Sequence, residues 1–560
     1  MSIGRLTAHR ASCPGRRSVP FVAALLGAAI LLLRPHPAPA QVGLGTDVTT
    51  DATVAPAGNL RIRAFIQWTR YDALFGIPDS TGLRPMGSLF SSSALGTNQV
   101  PLLTGAQTDV RALTGTAGTT ISLGQLTTAA NARVMTAPIL LEYGLTRRLT
   151  LGVAIPLAQT RANVVTQLNP KGSTSATVGP NPTAFFNNAT AYAANAQVTS
   201  SLQAAAQQLG AQLAACQANP GGAGCGTILS QQGQVGALVA LSAGFATTAG
   251  ALYGVSTSQP GQPFIPIANG ALEKAIDARL DSIQAAFAAY GVNAGTGALT
   301  AAGGPAAYLQ LQRLVSDPSF GIARDTLGTA AHFSLGDIEV AATYQLANSF
   351  TDTTPPGWQE RIALRAGARL PTGQPAELNR VYDIGSGSGQ LAAEGAAVVD
   401  LKQGARWLTT IAAQATLPLG TLDVGRTPYA GGALLPLLAP EPGTLKAGMT
   451  AEVDLLPRFR LTPFWMITGQ YTLLRQAADQ ITVDDTAGTV EPFGGRSAAT
   501  EQLLGFGFTY STIGLRGGAW AALPMEISLS HLEGVGGSGG PVPKYFRDQI
   551  ELRIYLPARR

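Results

Sequence analysis

The sequence predicts an all-β transmembrane barrel of about 12 antiparallel strands, with a large, mainly helical insert between strands 3 and 4. Three observations carry that class. Segments of about ten residues alternate apolar and polar positions and end in turn residues, the period of a strand with one oily and one wet face. After the leader, no apolar run is long enough for a membrane helix, which needs roughly 20 residues. Charged residues make up 12% of the chain, about half the usual share, while the hydrophobic 46% is ordinary. A wall that faces lipid takes neutral side chains, which lowers the charge without enlarging a core.

Arg5, Arg10, Arg16 and Arg17 lead into the apolar stretch Val19 to Leu33, and Ala38-Pro39-Ala40 supplies small residues before Gln41, so residues 1–40 read as a cleavable secretory signal. Arg16-Arg17 is ordinary leader charge, because Ser18-Val19-Pro20 does not continue a twin-arginine motif. The formal charge of +5 comes from the five leader arginines, leaving 32 basic against 32 acidic residues, a balance that excludes nucleic acid as a partner. Cys13 leaves with the leader. Cys216 and Cys225 frame a Pro/Gly loop and form a candidate disulfide in an oxidising compartment. Of the histidines, His332 and His531 survive cleavage and neither is near that pair, so no metal, cofactor or catalytic cluster is expected.

Residues 41–58 read as an N-terminal linker. The barrel opens with Asn59 to Tyr71, where Leu60, Ile62, Ala64, Ile66 and Trp68 alternate with Arg61, Arg63, Phe65, Gln67 and Thr69. Val134 to Tyr143, the turn Gly144 to Arg148, and Leu149 to Leu157 follow as a hairpin, which completes strands 1–3 within residues 59–158. Residues 333–560 hold strands 4–12, at Asp337 to Leu346, Arg361 to Leu370, 392–401, 406–418, 444–455, 460–474, 500–511, 520–532 and 545–556. The clearest alternation is Thr444 to Leu455, with Leu445, Ala447, Met449, Ala451, Val453 and Leu455 on one parity. An even count puts both termini on the periplasmic side. Connections after strands two, six, eight and ten are short (Gly144 to Arg148, Lys402 to Ala405, Leu456 to Phe459, Thr512 to Ala519), and most others are long. Periplasmic turns and external loops alternate in that way, with Ala347 to Glu360 after strand four the longer exception. Trp68, Tyr71, Tyr143, Trp407, Tyr510, Trp520 and Tyr555 near strand ends are candidates for an interfacial girdle.

The insert, residues 159–332, is rich in Ala, Gln, Asn, Thr and Gly. Thr199 to Ala215, Ala271 to Tyr290 and Pro305 to Val315 read as helices, the second from Leu272, Ile276, Leu280, Ile283 and Phe287 at helical spacing. Val235 to Gly254, apolar but diluted by Gly, Ser and Thr, reads as a packed helix pair. On the strand count the insert emerges outside the cell or folds back into the pore as a lid or plug.

The inward parity carries both signs: Arg61, Arg63, Arg365, Arg369 and Arg553 against Glu339, Glu452, Asp454, Glu526 and Glu551. Charges facing lipid are expensive, so these ten residues are candidates for a wet interior, either as a substrate path or as an ion-pair network that keeps a narrow barrel closed. Gly385-Ser386-Gly387-Ser388-Gly389 matches the glycine spacing of a nucleophile elbow without its strand-to-helix setting, and reads as a mobile loop. His531 beside Ser528 and Ser530 leaves an outer-membrane hydrolase open as a lesser reading.

Glu142-Tyr143-Gly144-Leu145-Thr146-Arg147-Arg148-Leu149-Thr150-Leu151-Gly152-Val153-Ala154-Ile155-Pro156, Arg369-Leu370-Pro371-Thr372-Gly373 with Asp383-Ile384-Gly385-Ser386-Gly387, and Gly336-Asp337-Ile338 resemble outer-membrane transporters of the phenol-degradation meta-pathway type. The resemblance covers roughly three fifths of the mature chain and implies a barrel in the cell outer membrane that admits small hydrophobic or aromatic molecules. Its implied partners are outer-membrane lipid, the barrel-assembly machinery and a small-molecule solute. The helical insert and a terminus without a closing aromatic, Ile554 to Arg560, depart from that family. A surface structural or adhesion protein anchored by the barrel is the alternative from a different class.

Overall fold

The computed structural model describes residues 47–75, 82–171, 173–255, 261–320, 329–351, 357–377, 383–424, 443–484, 490–493, 498–513, 524–539 and 542–557. The leader, Trp520 and the end of the connection after strand ten lie outside the described residues.

Twelve antiparallel strands close on themselves: β1 (Asn59–Phe75), β2 (Leu126–Gly144), β3 (Leu149–Leu168), β4 (Ile338–Asn348), β5 (Trp358–Leu370), β6 (Leu391–Gln403), β7 (Trp407–Leu419), β8 (Thr450–Arg460), β9 (Trp465–Gln476), β10 (Ala499–Ser511), β11 (Met525–Ser538) and β12 (Val542–Pro557). β1 pairs with β2 on one side and with β12 on the other, so every ladder hydrogen bond of the wall is made internally and no edge is left. Each of the twelve expected segments overlaps one of these strands, and the boundaries move for local reasons.

Thr444 to Leu455 is continuous in pattern but not in space. Gly443–Lys446 leaves the barrel to pair with Leu422–Val424 and Gln480–Asp484 in a small separate sheet. Gly448 marks the crossing, since a Cβ there would sit 1.8 Å from the Ala477 carbonyl oxygen. Leu456 to Phe459, expected as a turn, lies inside β8. Pro457 interrupts the ladder without ending it, because Arg458 and Phe459 pair onward with Leu408 and Trp407. The turn is instead Leu461 to Phe464. β11 and β12 run nearly into each other, so the long connection expected between them shrinks to residues 539–541.

The two parities of the wall differ as the alternation requires. On β10, Leu504, Phe506 and Phe508 are exposed outward while Glu501, Leu503 and Thr509 are buried inward. Exposed Tyr143, Trp358, Trp407 and Trp465 ring the end that carries the short turns, where Trp407 packs on Phe459 at 4.9 Å and Trp465 on Tyr510 at 5.2 Å. Tyr71 is not part of such a girdle: it is buried on the inward parity, 5.6 Å from Tyr545.

The described helices are α1 (Leu103–Thr114), α2 (Pro182–Phe186), α3 (Ala189–Ala218), α4 (Cys225–Ser230), α5 (Gln232–Tyr253), α6 (Ala271–Ala288) and α7 (Tyr308–Ser316). They share one apolar core, to which α1 contributes Leu103, Val110 and Leu113, so the helical body is built from the β1–β2 connection as well as the β3–β4 connection. Leu126 and Leu168, at the far ends of β2 and β3, join the same core and fix the body to the wall. Val235 to Gly254 is part of one helix rather than a pair. α5 is long and apolar enough to cross a membrane by composition, but Val235, Phe245, Ala249 and Leu252 are buried against its neighbours, and Ser242 Oγ donates to the Leu202 carbonyl at 3.2 Å. Cys216, near the end of α3, and Cys225, opening α4, lie with their sulfurs 2.04 Å apart.

Candidate functional site

Residues 47–58, ahead of β1, do not hang below the barrel as a linker but run into its short-turn end. The segment has almost no side chain able to fill a core, so it is held by polar contacts that satisfy its backbone. Arg458 Nη2 donates to the carbonyl oxygens of Val48, at 3.0 Å, and Thr50. Arg553 Nη2 donates to the Thr49 carbonyl at 2.8 Å, and its Nη1 pairs with Asp51 at 2.9 Å. Ala52 N–H donates to Asp400 at 3.0 Å, Gln345 Nε2 to the Ala52 carbonyl at 3.1 Å, and Ala55 N–H to Thr150 Oγ1 at 2.8 Å. These partners come from β12, β8, β6, β4 and β3, so the segment is tied across the barrel.

Each of the ten inward candidates has a definite place. Arg61 pairs with Glu142 at 2.6 Å and donates to Thr53 Oγ1 at 2.8 Å. Arg63 pairs with Glu551 at 2.7 Å and approaches Asp47 at 3.5 Å. Arg553 also meets Glu526 at 3.3 Å and Glu551 at 3.6 Å. A second group joins Glu339 to Arg369 at 3.1 Å and Arg365 at 3.6 Å, with Glu394 on Arg369 at 2.6 Å. Asp454 is fully buried and accepts from Thr472 and Gln470. Glu452 lies opposite Gln414 and Leu474 in the wall. Charges buried at this density survive because most are paired with an opposite charge or hydrogen-bonded.

Sequence reasoning missed half of this network. Asp47, Thr49, Asp51 and Thr53 lie in a segment without period, Glu142 and Asp400 sat on strands read for their apolar faces, and Arg458 fell in a stretch read as a turn. Parity held the signal for Glu142, since its neighbour Tyr143 faces outward.

The far end of the interior is entered by the β5–β6 connection. Ile384 packs against Tyr71, Ala132 and Val134, and Thr160 Oγ1 donates to its carbonyl at 2.7 Å. Ser386 Oγ receives the Ser334 hydroxyl at 2.6 Å, His332 Nε2 meets Asp383 at 2.6 Å, and Asp337 accepts from Gly373 N–H and Ser388 N–H at 2.9 and 2.7 Å. Residues 383–388 are therefore pinned, not a mobile loop. Their glycines allow the close approach: a Cβ at Gly387 would lie 2.4 Å from Asp337 Oδ1.

Against the N-terminal segment lies a small, partly open cavity. Asp51, Arg61, Arg63, Glu142, Arg365 and Arg553 line it on one side, and Phe65, Leu140, Ala363, Leu364, Ala396 and Val398 supply apolar wall. A smaller cavity shares Leu140, Glu142, Thr343 and Arg365 with it and ends against Gly152, Ala154 and Ala341. The hydrolase grouping does not assemble. Ser528 is buried on the inward parity of β11, bonded to Thr509, whereas His531 takes the outward parity and pairs with Asp548 at 2.7 Å.

No protein-family model matches the chain, and no curated protein matches it. Among solved structures, an outer membrane channel from Pseudomonas putida F1 aligns at 10% identity, covering 91% of this chain and 100% of that one, with a TM-score of 0.38. A FadL homologue from Pseudomonas aeruginosa aligns at 7% identity over 90% and 91%, TM-score 0.27, and the toluene transporter TodX of P. putida at 11% over 90% and 89%, TM-score 0.21. The transport unit of the Escherichia coli autotransporter AIDA-I also aligns, at 5% identity over 95% and 97%, TM-score 0.30. Likeness at this level leaves function to be read from the chain's own geometry.

Proposed function

We propose that the chain is an outer-membrane channel for small, hydrophobic or aromatic molecules, exported by its N-terminal signal, inserted by the barrel-assembly machinery and closed at rest on the periplasmic side. The observation that carries this is the tied segment Asp47 to Ala55 lying directly beneath the larger cavity. A closed wall with an apolar exterior is suited to lipid, and short turns at the end where both termini lie favour reading that end as the periplasmic mouth. The cavity's mixed lining gives an apolar body a place beside polar anchors. The hairpin Glu142 to Pro156 supports the same substrate class through its resemblance to phenol-degradation transporters. Proteoliposomes carrying the chain without residues 41–55 take up a single-ring aromatic faster than those carrying the chain from Gln41; equal uptake would remove the gate.

The helical body has a core of its own, which favours a second reading as an anchored surface protein. Removing residues 170–325 separates the two. Made together with loss of residues 41–55, this deletion leaves a channel that passes the aromatic, whereas a barrel serving only as an anchor stays shut.

A further inference from the structure

The outer wall carries one feature that closure of the pore does not use. Arg70 on β1 is the cross-strand partner of Arg133 on β2, and Arg133 is the partner of Arg161 on β3. All three are exposed on the outward parity. Strands lie ~5 Å apart, and like charges directly opposite one another are destabilising. The nearby outward carboxylates do not relieve the row: Asp548 is held by His531 at 2.7 Å and Glu533 by Lys544 at 2.8 Å. Among the described residues, none of the three guanidiniums has a carboxylate within ion-pair distance, Asp72 included. Arg70 lies over the Phe546 ring, and Arg161 Nε donates to Asn163 Oδ1 at 2.8 Å. Asn163 in turn donates to Asn131 at 2.9 Å, so a second polar row sits just beyond the arginines.

The height of the row is informative. Arg70 is 11 residues beyond the start of β1, Arg133 11 before the end of β2, and Arg161 12 beyond the start of β3. At about 3.3 Å per residue and a tilt near 40° this is ~28 Å above the short-turn end, the upper limit of an apolar band roughly 25 Å tall. Below it the outward side chains are Trp68 and Ile66, Met135 and Ile139, and Leu157 and Leu151. The polarity changes in one step on β1 and β2 and across the exposed Gln159 on β3.

We propose that Arg70, Arg133 and Arg161 bind the phosphate groups of an outer-leaflet glycolipid of the lipid A type, whose acyl chains lie along Trp68, Met135 and Leu157. This rests on the reading of the chain as an outer-membrane barrel. Guanidinium forks match phosphate oxygens in pairs, and an anion seated across the row turns a repulsive ladder into a favourable one.

The test is native mass spectrometry of the full chain in detergent with bisphosphorylated lipid A, with the same lipid stripped of phosphate, and with inorganic pyrophosphate as competitor. At least tenfold greater retention of the phosphorylated lipid is expected, lost in Arg133→Gln/Arg161→Gln and kept in Arg147→Gln/Arg148→Gln, whose arginines sit in a short turn. Equal retention of the stripped lipid, undiminished retention by the first variant, or displacement by stoichiometric pyrophosphate would each overturn the site. Flotation of the same chain with liposomes separates the causes. A chain that floats but does not discriminate sinks the lipid site alone, and one that does not float sinks the barrel reading with it.

Discussion

Arg458 and Arg553, on strands four apart around the barrel, donate to consecutive carbonyl oxygens of one extended segment: Arg458 to Val48 and Thr50, Arg553 to Thr49. Neither uses a cavity-filling contact. The grip on this segment is therefore largely electrostatic, and its strength depends on two guanidiniums whose other partners are Asp51, Glu526 and Glu551 for Arg553 and Thr410 for Arg458.

Replacing Arg553 by Ala leaves Asp51 and Glu551 without their shared partner. Removing one member of a buried ion cluster costs about 3–5 kcal/mol, because the charges left behind have lost compensation without regaining water. Much of that cost is avoided if the segment leaves the interior. Arg553→Ala is expected to raise single-channel conductance in planar bilayers, and Arg458→Ala to do so less, since among the described residues no carboxylate lies within ion-pair distance of it. Conductance at the level of the unaltered chain in both variants would show that the segment does not seal the mouth.

Gly144 gives the same seal a steric test. A Cβ at this position would lie 2.2 Å from the Pro56 carbonyl oxygen and 2.5 Å from that of Ala55, both backbone atoms that cannot swing aside. Gly144→Val is expected to push residues 55–56 inward or out of the mouth while the β2–β3 ladder stays intact. Faster trypsin cleavage at Arg61 with an unchanged heat-modifiable band on gels would report that displacement.

These residues also show what the sequence made legible. Arg61 and Arg63 were placed inward by parity alone, because a charge on the other parity would face lipid, and the twelve strands followed from the same alternation. The gripping of residues 47–55 could not be read that way. Asp47-Val48-Thr49-Thr50-Asp51 has no period, and its partners Asp400, Arg458 and Arg553 lie some 350 to 500 positions along the chain. Pro457 misled in the opposite direction, since a proline that ends most strands here only skips one rung. α1 escaped notice because its apolar face is completed by helices from another connection.

The helical body has its own pH response. Burial, reinforced by Glu273 and Asp281, pushes the Asp277 carboxyl up from 3.8 to about 6, and its Oδ1 is buried without a hydrogen-bond partner. A folded-state value above the unfolded one means that the folded form holds the proton more tightly. The contribution is complete below pH 4 and is lost as pH rises through about 6. Thermal unfolding of the helical signal is expected to fall in midpoint between pH 5 and pH 8, and Asp277→Asn to flatten that drift and raise the midpoint at pH 8. A drift unchanged in the Asn variant would assign it to another group.

Cys216 and Cys225 close a short loop between α3 and α4. A cross-link over a loop of this length restricts the unfolded chain by about 2.5 kcal/mol. Cys216→Ser/Cys225→Ser is expected to make the α3–α4 segment protease-sensitive while the barrel stays heat-modifiable. Peptide maps with and without reductant would show whether the two peptides travel together.

The outer face offers the most direct check on the bilayer. Phe506 is 55% exposed on the outward parity of β10, between Leu504 and Phe508, with Leu529 exposed on the adjoining strand. In water such a cluster is an aggregation surface; in lipid it is ordinary wall. The two environments assign opposite signs to one substitution. Near the middle of the apolar band an arginine costs about 2–4 kcal/mol in a bilayer, whereas on a water-exposed surface it is neutral or raises solubility. Phe506→Arg is therefore expected to lower folding into liposomes by one to three orders of magnitude in equilibrium constant, measured by the heat-modifiable gel band across a urea titration. Folding equal to that of the unaltered chain would mean that this wall does not face lipid, and the channel, its gate and the lipid site would fall with it.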